Sequence, residues 1–289
     1  MKAMQAGHLL SVGATLGEGP AWIDGALWFV DIKQDTIFRF DPATKDLRKW
    51  QAPDHVGWIL PSANTGLIAS LKTGPCRFLP DTGAFEPIAQ VQPDLPDNRL
   101  NDAGIDGQGR IWFGTMDNLE QSETGRIFLL DKGTVMPTNL APVAITNGPA
   151  ISPDGTRLYH VDTLGRKVIR YMISAEGTPD AGDLFLQFSG DEGHPDGAIC
   201  DAEGGVWIGF FGGSAARRFS PEGALTHEVN FPVSNVTKIA LGGTDGHTAF
   251  ATTARQGLSD EECARQPLAG DIFTFRVEVP ASPERRANT

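Results

Sequence analysis

The sequence predicts an all-β protein, a six-bladed β-propeller with a central channel, and three observations carry that prediction. Thirty-four glycines and 20 prolines punctuate short apolar runs throughout, and no segment keeps a 3.6-residue period over several turns. One design, a tight turn feeding an aromatic-rich strand, recurs as DGALWFVD (24–31), GQGRIWFGT (107–115), SPDGTRLYHVD (152–162), DAEGGVWIGF (201–210) and GTDGHTAFAT (243–252). A second set of short strands follows, in DTIFRFDPATK, TGPCRFLPDTG, GRIFLLDKGT, RKVIRYMISAEG, SAARRFSPEGA and GDIFTFRVEV. Six such units give about 45 residues each, the length of a four-stranded blade.

Taken in order, the blades of this single domain run roughly 14–53, 54–97, 98–141, 142–191, 192–233 and 234–279. Residues 5–13 are left to add an outer strand to the last blade and close the ring, which removes the free edges that an open sheet must protect. The one helical stretch is GLSDEECARQP, where Ser259 and Glu262 fit a capping box and Pro267 stops the helix. Its expected place is a loop between strands of the last blade, either shaping the channel mouth or lying as a surface helix. Tryptophans and phenylalanines are expected between blades, Trp58 included, although its place near an inner strand would also suit an aromatic wall for a sugar ring.

Net charge excludes several partners. At −12 with a pI near 4.9, the chain is repelled by nucleic acid and by anionic membrane surfaces, and a cation or a neutral small molecule suits it better. Cys76, Cys200 and Cys263 are odd in number and far apart, which indicates neither a disulfide framework nor a zinc–cysteine site. The first residues lack a secretory pattern and no run of about 18 apolar residues exists to span a bilayer. A cytoplasmic protein, monomeric or weakly oligomeric, is the expectation.

Aligning the repeats on their aromatic strands brings polar residues into nearly the same phase. Glu18 precedes Trp28 by ten residues, Asn101 precedes Trp112 by eleven, Asn147 precedes Tyr159 by twelve and Asp196 precedes Trp207 by eleven. In the last repeat Asn235 and Thr237 occupy the corresponding region. Equal positions in a propeller's blades stand at equal height around one axis, so these side chains should converge at one mouth of the channel. Two carboxylates and two carboxamides form a hard oxygen-donor set that suits Ca²⁺, Mg²⁺ or Mn²⁺. Burying Glu18 and Asp196 together without a cation would be costly.

The motifs LGEGPAW, NRLNDAGIDGQGRIWFGTM, TNGPAISPDGTRLYHVDT, PDGAICDAEGGVWIG and TTARQGLSDEECARQPLAGDIF resemble the SMP-30/gluconolactonase/regucalcin-like family of sugar lactonases, nearly end to end and in the family's order. The resemblance implies a six-bladed propeller and one divalent metal ion, Ca²⁺, Zn²⁺, Mg²⁺, Mn²⁺ or Fe²⁺. It implies Glu18, Asn147 and Asp196 as metal ligands, Asp196 as the base that accepts the proton of the attacking water, and Arg99 and Asn101 as contacts to sugar hydroxyls. Some members carry a substrate-binding Glu three residues after GTM; Leu119 stands there in this chain, and Asp117 and Glu120 are the two acids that can replace it.

The function so implied is metal-dependent hydrolysis of a sugar lactone to the aldonic acid, of the pentono- or gluconolactonase type, by a carboxylic-ester hydrolase whose partner is a small-molecule sugar lactone. Two other functions are compatible with the fold: a phosphotriester or larger-lactone hydrolase, and a non-catalytic calcium-binding propeller. There is no G-x-S-x-G elbow, P-loop or dinucleotide fingerprint.

Overall fold

The protein is described from a computed structural model covering residues 2–289. Its strands form six antiparallel meanders arranged as a six-bladed β-propeller. Innermost in the blades, in order, are Gly17–Ile23, Ile59–Pro61, Asn98–Ile105, Thr146–Ile151, His194–Cys200 and Val236–Gly242. Inner strands of neighbouring blades pack on one another, except that Asn98–Ile105 of blade three meets Leu67–Leu71 of blade two, and Val236–Gly242 meets Gly17–Ile23 to complete the circle.

Local sequence explains the meanders. Asp24 and Gly25, both at positive φ (48° and 78°), make the two-residue turn between Gly17–Ile23 and Ala26–Asp31, the backbone that favours Asp-Gly in a hairpin. In blade three the Asp106 carboxylate accepts from the amides of Gln108 and Arg110, and Asp201 does the same for Glu203 and Gly205 in blade five. One turn device is thus repeated.

The blades adhere through aromatic and aliphatic layers. Trp28 packs with Ile59 and Phe78 between blades one and two, Trp58 with Phe113 and Phe128 between two and three, and Trp112 with Leu158 and Tyr171 between three and four. Tyr159 with Ile208 and Phe219, Trp207 with Ile239 and Phe273, and Phe29 with Ala240 and Phe250 complete the ring. Full burial of one such side chain contributes about 1.5–3 kcal/mol. Trp58, 1% exposed, lies in this packing and lines no part of the polar cavity described below.

Gly7–Leu10 pairs antiparallel with Ile272–Arg276 as the outer strand of blade six. The preceding Lys2–Gln5 runs parallel to Leu225–Asn230 of blade five, so one N-terminal segment staples two blades. The repeat pattern carries no sign of that second pairing. The other end of the chain crosses the far face: Ala281 bridges Asp201, Arg285 donates to the carbonyls of Ile105, Ser152 and Pro153, and Ala287 bridges Ser62. A helix forms at Asp260–Arg265 with the Ser259/Glu262 capping box in place. Among the described residues no helix is long and apolar enough to cross a membrane.

Candidate active site

In five of the six inner strands the ladder with the second strand slips at one place: between Glu18 and Ala21, Leu100 and Ala103, Asn147 and Ala150, Pro195 and Ala198, and Val236 and Ile239. Two residues stand opposite one at each slip, which is a bulge, and bulges re-aim side chains. Glu18 and Asn147 are the last paired residues before their bulges, whereas Asn101 and Asp196 are the first residues inside theirs. The candidate residues are therefore offset by one position between blades. The bulge absorbs that offset and turns all four toward one cavity of about 190 Å³, which Glu18, Arg99, Asn101, Asn147 and Asp196 line together.

Gly19, after Glu18, has φ +52°, and a Cβ there would stand 2.7 Å from the Gly57 carbonyl oxygen. That close approach of blade two requires the glycine. Blade two itself brings the Gly57 backbone, and no ligand side chain, to this level. Thr237 donates to the Gly17 carbonyl and Asn235 to that of Gln256, so both serve the backbone and neither lines the cavity.

A chain of hydrogen bonds orients the polar groups. Arg99 Nη1 donates to Asn101 Oδ1 at 2.7 Å, and its Nε to Asn118 Oδ1 at 3.0 Å. Asn101 Nδ2 donates to the Thr146 carbonyl at 2.8 Å and to Asn147 Oδ1 at 3.2 Å. Asn147 Nδ2 donates to Thr163 Oγ1 at 2.9 Å. With its nitrogen taken by Thr163, Asn147 keeps its oxygen on the cavity side. Glu18 accepts the Gly19 amide at 2.8 Å, and the Asp196 carboxylate accepts no hydrogen bond among the described residues.

Burial dominates the electrostatics. It pushes the Glu18 carboxyl up to about 8, with the nearby Asp102 charge adding to the effect. Asp196 is raised well above the ordinary carboxylate range by burial and then by Glu18 and Asp102. Burial lowers Arg99 to about 10 against the attraction of Glu18, Glu120 and Asp196. Two acids that resist ionising side by side, one of them without a donor, and a carboxamide oxygen on the same wall form a donor set that a divalent cation satisfies. The residues fit such an ion.

A different group, Asp35, Asp54 and His55, has one ligand atom from each within 4.8 Å of the others. These residues are half-buried and already paired: His55 Nδ1 meets Asp35 Oδ1 at 2.7 Å, and Asp54 accepts the His55 amide at 2.7 Å.

The geometry separates the two acids left open after the GTM motif. Asp117 is spent on its own loop, accepting the amides of Leu119, Gln121 and Ser122 at 2.8–3.0 Å, which holds it below the usual carboxylate range. Leu119 is 57% exposed. Glu120, in the left-handed region at φ 59°, lines the cavity. Thr163, Asn118, His194 and Gln256 also belong to the site or its support. His194 lies two residues before Asp196 in the chain, and the others come from loops that no repeat phase marks.

Comparison with known proteins identifies the family and the fold. The model of the SMP-30/Gluconolactonase/LRE-like region matches residues 16–255. An L-arabinolactonase of Azospirillum brasilense is 34% identical over 281 residues, covering 95% of this chain and 93% of the relative. A 6-deoxy-6-sulfogluconolactonase of Pseudomonas putida is 31% identical over 274 residues, 94% of each chain. The crystal structure of a calcium-binding protein, regucalcin, from Agrobacterium tumefaciens strain C58 superposes with a TM-score of 0.94 at 26% identity, over 100% of this chain and 99% of the other.

Proposed function

This chain belongs to the SMP-30/gluconolactonase/LRE-like family, and from that membership we propose that it hydrolyses an aldonolactone of a pentose or hexose to the aldonic acid, with one divalent cation. One observation carries the reading: Glu18 and Asp196, both buried and both resisting ionisation, line one cavity with Asn147. Those donors suit a cation, and the rest of the cavity accommodates a small polar ring.

Glu18, Asn147 and Asp196 would hold the ion, which when bound supplies Lewis-acid polarisation of a carbonyl oxygen. Hydrolysis adds a water oxygen to the lactone carbonyl carbon and breaks the bond from that carbon to the ring oxygen. Asp196 takes the proton of the water as it attacks and returns it to the departing ring oxygen; its freedom from hydrogen bonds leaves its lone pairs for that task. Arg99, which donates only, Asn101 and Glu120 bind sugar hydroxyls. Met116, Ile145 and Phe211 wall the cavity with apolar surface and limit the water that reaches the ring.

The reading is tested by acid release in a pH-stat on pentono- and hexonolactones, with and without chelator. Turnover that chelator abolishes and added divalent metal restores supports it. Metal binding without turnover of any lactone overturns it.

A further inference from the structure

One layer below the candidate ligands, the inner strands present a second ring of residues. The second bulge positions are Pro20, Asp102, Pro149, Gly197 and Lys238, and in blade two Trp58 directly precedes the first paired residue Ile59. Only Asp102 and Lys238 in this ring are charged. They belong to blades three and six, opposite each other in a ring of six, and they meet: Lys238 Nζ donates to Asp102 Oδ1 and, at 3.3 Å, to the Ala103 carbonyl. Asp102 is 1% exposed and Lys238 5%.

Both partners also touch the backbone that follows a candidate ligand. The second oxygen of Asp102 accepts the amide of Gly148, the residue after Asn147, at 3.0 Å. The Lys238 stem lies against Gly197, the residue after Asp196; a Cβ on that glycine would stand 2.5–2.7 Å from Lys238 Cβ, Cγ and Cδ. On the far side of the ring lies a separate cavity of about 330 Å³, lined by Lys238, Ala103, Pro20 and Pro149 and by residues 281–285 of the C-terminal segment. Neither Asp102 nor Lys238 lines the cavity that holds the candidate ligands.

We propose that Lys238, acting through Asp102, is a positioning residue: the ion pair is a strut across the channel that floors the active site and sets the backbone behind Asn147 and Asp196. Nothing in the repeat requires a charge at this position, since the other four blades place proline, glycine or tryptophan there. A buried pair is weak support for stability, because well-packed apolar residues of similar volume often replace such pairs without loss. A structural role and a positioning role therefore predict different outcomes for an apolar replacement.

The test is the double variant Asp102→Leu with Lys238→Met, which removes the strut without changing net charge. The catalytic arm rests on the lactonase reading; the binding arm, Mn²⁺ affinity by calorimetry, does not. The expected result is a folded protein whose Mn²⁺ dissociation constant rises at least tenfold and whose kcat falls at least tenfold with KM within threefold. A folded double variant with Mn²⁺ affinity and kcat within twofold of the parent overturns the proposal. If the double variant does not fold, Lys238→Arg decides, since its fork moves the cationic centre against Gly197: Mn²⁺ binding at least threefold weaker at unchanged melting temperature sustains the proposal, and unchanged binding overturns it. Parent turnover with a variant that matches it in Mn²⁺ affinity and kcat defeats the strut alone. No parent turnover together with weakened Mn²⁺ binding in the variant defeats the lactonase reading alone.

Discussion

Asn101 Nδ2 donates to Asn147 Oδ1 at 3.2 Å, joining the inner strands of blades three and four at the candidate site. The two residues are 46 apart in the chain, and each has its amide orientation set by a further partner, Arg99 for one and Thr163 for the other. The site is thus a property of neighbouring blades, and loss of any orienting partner should reach the ligand set.

Replacing Asp196 by Asn keeps its size and much of its capacity as a ligand while removing the base. Lactone kcat should fall by about 10²–10⁴, the range of positioned acid–base catalysis, with bound metal retained. Steady-state acid release together with metal analysis of the purified variant checks this, and a wild-type rate with metal bound would remove Asp196 from the role.

Thr163→Val deletes the acceptor that holds the Asn147 amide. The freed carboxamide can turn its nitrogen toward the cavity, so divalent-metal affinity should drop by about 10- to 100-fold, the scale set by the partners of metal ligands. Calorimetric titration measures it directly.

Metal binding should strengthen as pH rises toward 8. The folded-state pKa of Glu18 is raised from 4.5 to about 8 and that of Asp196 is raised as well, so the metal-free fold carries protons that the ion must displace. For the metal-free protein, the stability associated with these protons is complete below the unfolded value and is lost as pH climbs through about 8. Melting curves from pH 5.5 to 8.5 should therefore show a metal-induced stabilisation that grows with pH, with proton release on binding.

Glu120→Gln should lower kcat/KM by about 10- to 100-fold, mainly through KM, the equivalent of one hydrogen bond to a charged group at about 1.5–3 kcal/mol. Leu119→Ala should leave kinetics at parental values, because that side chain is exposed and lines no part of the cavity. Equal effects of both changes would contradict the assignment.

His160 is buried with Nε2 unpartnered among the described residues, and burial lowers its pKa to about 4. The unfolded chain takes up a proton near 6.5, so this group destabilises the fold progressively from pH 6.5 down to about 4, by up to about 1.4 kcal/mol per pH unit. His160→Leu should flatten the acid limb of the stability curve in that window, as read by urea unfolding at pH 7, 5.5 and 4.5.

The six blades and the aromatic layers between them were legible because each unit repeats one local design, a turn followed by an aromatic-rich strand buried along nearly its whole length. Trp28, Trp112, Tyr159 and Trp207 mark the same strand in four blades, and hydrophobic period and turn chemistry are properties of neighbouring residues in the chain. The polar cluster was legible to within one position. Glu18 and Asn147 sit one step earlier in their bulges than Asn101 and Asp196, and a bulge leaves no compositional trace beyond a nearby glycine or proline.

What the residue order settled, then, was the blade repeat, the hard-oxygen character of the cluster and its membership in one channel. The placement of Glu120 rather than Asp117 on the cavity wall, the hydrogen bonds of Thr163 and Asn118, the pairing of Lys2–Gln5 with blade five and the Lys238–Asp102 contact were decided by the closed ring. The reason is separation along the chain: Lys238 meets a carboxylate 136 residues away, and no local pattern encodes which side chains become opposite once six blades close around an axis. Burial, which raises Glu18 and Asp196, is likewise a consequence of that closure.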